Sequence, residues 1–240
     1  MKPTIPLMLM VLLFTACGPL RQFQQPEQGI PSLGSIGKHN AGLFKKDVQK
    51  IGAPVLGTPV EVAVRFVPFS KKKWNHYAKY RENQGLEPMP AEKDTTNTKE
   101  QYYFEAKISD VVGLTAQLNQ SNNKDLLEYL SEDTDLALIS QISFMTDEGT
   151  AEKLSSGKPL YLAENAHGTL ELLLGNGPKA QTLDLTTLQV FDFETAGFCW
   201  KKDQRGRSRI AHILMDGGTC PGETEKDPRK LDKTPDYLKP

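Results

Sequence analysis

The chain has 240 residues, 29 basic and 30 acidic side chains and a formal net charge of −1. Charge this balanced creates no global field to draw nucleic acid, which excludes that class of partner. The hydrophobic share of 38% is diluted by polar stretches at both ends, and the length suits one domain or a compact pair.

In chain order, the first element is an apolar run from Ile5 to Ala16 behind Lys2. Twelve residues of helix cover about 18 Å, well short of the roughly 30 Å hydrocarbon core of a bilayer, so residues 1–16 read as a secretory signal rather than a membrane span. The run ends in Phe14-Thr15-Ala16-Cys17-Gly18, which resembles the lipobox of bacterial lipoproteins. The resemblance covers residues 1–18 and implies cleavage before Cys17, with acyl chains such as palmitate on that cysteine. It implies nothing about activity. Gly18 and Pro19 follow, with no aspartate after the cysteine. For a Gram-negative lipoprotein that implies the outer membrane, facing periplasm or cell surface; for a Gram-positive one, the outer face of the plasma membrane. Each buried methylene of the acyl chains adds about 0.8 kcal/mol to anchoring.

Residues 17–55, rich in Gln, Gly and Pro, read as a lipidated flexible tether. The expected body is a single β-rich domain over 56–220. Val60, Val62, Val64 and Phe66 alternate with Glu61 and Arg65, the period of a half-buried strand. Tyr102, Phe104, Ala106 and Ile108 repeat the pattern, with Glu105 and Lys107 opposite. Leu136 to Met145 is continuously apolar enough for a central strand. Short strand candidates follow near 159–163, 168–174, 179–184, 188–194 and 208–215, separated by turn formers such as Gly175-Asn176-Gly177-Pro178. Asn123 to Ser131 predicts a helix. Ser109 to Asn119 fits either a helix capped by Ser109 or a strand, with Gly113 counting against the helix. The fold class expected is therefore mainly β: an antiparallel sandwich or curled sheet with one or two short helices. Residues 221–240, dense in proline and charge, read as a disordered polar tail.

No hydrolase nucleophile motif, zinc-binding histidine motif or phosphate-cradling glycine loop occurs, and nothing implies a cofactor or metal. With Cys17 taken by lipid, Cys199 and Cys220 remain, an even pair for a disulfide in an oxidising compartment. Two stretches carry contact chemistry. In the first, Trp74 and Tyr77 lie among lysines and Arg81, a pattern suited either to stacking on a glycan or to closing the edge of the core. In the second, Lys201 to Arg209 holds five cations against Asp203, which places Arg205 and Arg207 at a hairpin tip for an anionic partner, or merely in a solvated turn. The function expected is a membrane-anchored envelope lipoprotein serving as a non-catalytic binding or assembly module, with an envelope protein or anionic glycan as partner. The alternative is a lipid-anchored hydrolase acting on envelope glycan or peptide, which requires a deep cleft with paired carboxylates.

Overall fold

The computed structural model describes residues 32–42, 45–89, 101–183, 188–215 and 217–232. The expected signal segment, Cys17 and the end of the tail lie outside the described residues.

Among those residues ten antiparallel strands form a curled, half-barrel sheet: β1 (Ile36–Gly42), β2 (Lys45–Gly52), β3 (Val60–Pro68), β4 (Tyr102–Ile108), β5 (Leu136–Met145), β6 (Leu160–Glu164), β7 (Leu170–Leu174), β8 (Gln181–Leu183), β9 (Gln189–Lys202) and β10 (Ser208–Leu214). The order across the sheet is β10-β9-β5-β4-β3-β6-β7-β8. Strand β5 is the hub. One edge pairs with β9, and the other pairs with β4 at Gln141–Phe144 and with β1 at Leu136–Leu138. The apolar continuity of β5 follows from this position, since both of its faces are covered.

The curled sheet was legible in the alternation, but the described body already includes Leu33, well before residue 56. Leu33 and Ile36 are buried in the main core, and β1 and β2 form a hairpin inside the stretch expected to be tether. Lys38 Nζ binds Asp133 Oδ2 at 2.6 Å, pinning β1 to the turn before β5. The expected tail is likewise folded as far as residue 232. Glu225 bridges Trp200 through both backbone groups, and Pro228 of a short 3₁₀ turn (Pro228–Leu231) is buried. Neither segment shows a hydrophobic period, because each is held by backbone pairing to a distant strand rather than by an apolar stripe of its own.

Four helices are present among the described residues instead of one or two: α1 (Lys71–Asn83), α2 (Val111–Leu118), α3 (Lys124–Glu132) and α4 (Glu148–Ser155). The ambiguous stretch is helical, and its cap is Asp110, not Ser109. The Asp110 carboxylate accepts the Gly113 N–H at 2.8 Å, satisfying a donor of the first turn. A β-carbon on residue 113 would collide with that same carboxylate. The glycine that counted against the helix is thus what lets its cap close.

Leu114 and Leu118 of α2, Leu130 of α3 and Leu154 of α4 join Phe104, Ala106, Ile108, Leu138, Ile142 and Phe144 in the main core on one face of the sheet. On the other face α1 contributes Trp74 and Tyr77 to a smaller aromatic core with Phe69 and Tyr103, and Phe191 packs against it. Phe69 lies 4.8–5.7 Å from the rings of Trp74, Tyr77, Tyr103 and Phe191, spacings at which each aromatic pair adds about 0.5–1.5 kcal/mol beyond burial.

Asn119, at the end of α2, closes the outer edge of β10. Its Oδ1 accepts the Ile210 N–H at 3.1 Å and its Nδ2 donates to the Ile210 carbonyl at 2.9 Å, so one side-chain amide serves as a strand neighbour. Asn119→Ala orphans both backbone groups, and urea unfolding is expected to show a loss of about 1–3 kcal/mol.

Candidate functional site

Pairing between strands places Arg65, Glu105, Ser143 and Asp192 directly opposite one another on β3, β4, β5 and β9. They form one polar row across four strands, on the face that α1 covers. Glu105 and Asp192 are each 8% exposed and Ser143 1%. Buried charge of this kind persists only when paired. Lys73, in the first turn of α1, supplies the pairing. Its Nζ donates to Asp192 Oδ2 and to Ser143 Oγ, both at 2.9 Å, and lies 3.9 Å from Glu105 Oε1. Arg65 donates to Glu105 Oε2 at 3.1 Å, and His76 Nδ1 sits 3.3 Å from Asp192 Oδ2. The Tyr103 hydroxyl donates to Glu105 Oε1 at 2.9 Å. Burial first, and that hydrogen bond second, push the Tyr103 phenol well above the ordinary tyrosine range.

Local structure explains the arrangement. The register between β5 and β9 shifts at Phe191, so Ser143 faces Asp192 while Phe144 faces Val190. An extra residue in one strand re-aims its side chains. Phe191 and Asp192, consecutive in sequence, therefore both serve the α1 face, one in the aromatic core and one in the charged row. The first turn of α1 holds three lysines and no acid, the wrong sign for a helix start. For Lys73 the opposing carboxylates of the sheet make good that cost.

Chemically, the row fastens α1 to the sheet. The contact between Lys73 and Ser143 has the length of a nucleophile–base pair, but the lysine acts there as a donor, shared with Asp192. Ser143 lies beneath the helix, and none of the surface grooves described below reaches it.

Trp74 and Tyr77 are 4% and 5% exposed, which corrects their reading as ligand or surface contacts: they close the core edge, and the Tyr77 hydroxyl donates to Gln189 Oε1 at 2.9 Å. The expected disulfide is present, with Cys199 and Cys220 joined across a separation of 21 residues. Arg205 and Arg207 do meet at the β9–β10 hairpin tip, and both are exposed. Their roles differ, however. Asp203 Oδ1 accepts the backbone N–H groups of Arg205 and Arg207 at 2.8 and 2.9 Å, and Arg207 folds back so that its Nε donates to Asp203 Oδ2 at 3.1 Å. The Arg207 backbone N–H above all, with that of Arg205 and the Arg207 side chain, holds the Asp203 carboxyl below the usual carboxylate range. Arg207 is therefore partly spent on building the turn.

The hairpin flank carries surface relief that sequence reasoning did not locate. A groove of about 580 Å³ runs between α3 and the start of β10, and another of about 610 Å³ runs between α2 and β10. Arg209, half-buried, lines both. A third, of about 530 Å³, lies between the end of α3 and the 3₁₀ turn at Pro228–Leu231.

No match is found. Comparison with family models, with characterised proteins and with solved structures gives no relative for this chain. The geometry and the sequence therefore carry the functional reading alone. Among the described residues no helix is long and apolar enough to cross a membrane, and no group of three or more His, Cys, Asp or Glu side chains is placed to hold a metal ion.

Proposed function

We propose that the protein is an exported lipoprotein, anchored through acyl chains on Cys17, whose folded body acts as a binding or assembly module in the cell envelope. The observation that carries this reading is the run Phe14-Thr15-Ala16-Cys17-Gly18 at the end of a short apolar segment, a placement that suits lipid attachment better than membrane spanning. The Cys199–Cys220 bond supports it, because structural disulfides belong to oxidising compartments such as the periplasm. The binding role is favoured over hydrolysis because Glu105 and Asp192, the carboxylates the sheet brings together, are buried against Lys73 beneath α1 rather than opened to a cleft. The residues after Cys17 favour the outer membrane.

The test is Cys17→Ser in the full chain. Wild type is expected in the membrane fraction with a mass increment matching acyl chains; the variant is expected to keep its leader or to appear almost wholly in the soluble fraction. An intact leader on the native wild-type product, or equal solubility of the two proteins, overturns the anchor.

A further inference from the structure

The two grooves that meet at Arg209 differ in what surrounds the cation. On one side Lys124 and Leu127 of α3 face it; on the other, Val112 of α2, Lys201 of β9 and Ile213 of β10 do. Val112 is 81% exposed, the most exposed large apolar residue among those described. A guanidinium has five N–H donors, yet the Arg209 side chain makes one described hydrogen bond, from Nη2 to the Asn119 carbonyl at 3.3 Å. Asp203 reaches both grooves, but the hairpin turn and Arg207 already occupy its oxygens.

We propose that this trough is the binding surface of the module, and that its occupant is an acidic segment of a partner protein. A carboxylate of the partner sits on Arg209, while apolar side chains on either side of that acid lie against Leu127 in one groove and the exposed Val112 and Ala116 in the other. Three features select this occupant. The half-buried cation at the junction has donors to spare in the fork geometry that matches a carboxylate. Lys124 and Lys201 place further positive charge on both sides, and with Arg207 and Arg209 they outnumber Glu128 and Asp203, the acids that line the grooves, a balance that complements an acidic chain. No Phe, Tyr or Trp lines either groove, so a glycan would find no ring for stacking, whereas Leu127 and Val112 offer apolar contact to peptide side chains on either side of the cation. The proposal deepens the binding-module reading and rests on it for the class of partner. It does not depend on lipid at Cys17.

The test titrates the full-length chain in detergent with a fluorescein-labelled library of heptapeptides, each with a central glutamate between varied apolar residues. Polarisation is read against the glutamine analogues and against an oligogalacturonate as an acidic glycan. Glutamate peptides are expected to bind at least tenfold more tightly than their glutamine analogues, with affinity falling as salt rises. Arg209→Gln and, independently, Val112→Asp are each expected to weaken them tenfold or more. Val112 is at the surface, so its replacement leaves folding intact and the test decisive even if the Arg209 variant is unstable. No saturable binding below about 1 mM, equal binding of glutamate and glutamine peptides, indifference to Val112→Asp, or tighter binding of the oligogalacturonate each overturns the proposal. None of these results bears on the anchor, which the Cys17→Ser fractionation tests separately.

Discussion

Lys73→Met is expected to lower stability by about 3–5 kcal/mol, enough to unfold a marginal domain. The loss does not come from the missing methylenes, since methionine fills much of the same space. It comes from the two carboxylates left behind. The side chains of Glu105 and Asp192 are 10% and 8% exposed, and the Lys73 side chain only 17%, so water screens the array poorly. Without the ammonium, Asp192 keeps His76 and the Phe193 N–H, and Glu105 keeps Arg65 and Tyr103. The centre of the row, around Ser143, loses its only positive charge among the described contacts. Urea unfolding of Lys73→Met and of a triple variant carrying Glu105→Gln and Asp192→Asn as well gives the comparison. The triple variant is expected to recover most of the loss, because neutral amides remove the uncompensated charge. A loss under about 1 kcal/mol in the single variant would mean that α1 is held by its aromatic residues alone.

Opening the Cys199–Cys220 bond, by reduction or by paired serine substitution, is expected to cost about 3 kcal/mol. The loop it closes, about 22 residues long, sets that figure through the entropy the cross-link removes from the unfolded chain. The effect has a local part. Cys199 is fully buried beside Trp200, whose backbone pairs with Glu225, and Pro228 is buried just beyond. Amide exchange is therefore expected to accelerate first at Trp200 and Glu225 and later in β5. Uniform acceleration across the sheet would show that the bond supports the whole fold rather than its edge.

The sheet could be read in the sequence because its strands alternate, and β5 stood out because it does not. Helix α2 was half legible: its leucines fit a helix, but the cap that needs Gly113 depends on an aspartate next to the serine that looked like the cap. The hairpin β1–β2 left no period to read, since its partner strand lies a hundred residues away and backbone pairing imposes no apolar pattern. At the site, the disulfide followed from counting cysteines. The charged row did not, because its members come from five separate elements. A signal was nevertheless present: single acids set among aromatic residues, Glu105 after Tyr103-Phe104 and Asp192 between Phe191 and Phe193, and a helix start crowded with lysines. Acids in such company call for a cation to pair with them once they are buried, and only the fold shows that Lys73 supplies it. Trp74 and Tyr77 misled because an aromatic pair beside lysines looks the same whether it greets a ligand or roofs a core. Arg209 was overlooked in favour of its neighbours because only the hairpin twist separates an arginine that builds the turn from one that faces a groove.

The early start of the folded body sets the geometry of any encounter at a bilayer. On the proposed anchor at Cys17, about 15 residues separate the lipid from Leu33, a covalent reach of no more than roughly 50–54 Å; separation as far as residue 55 would have allowed about 125–135 Å. On that proposal the folded body stays within this distance of its own membrane, and partners seated in the same leaflet are the ones inside its reach.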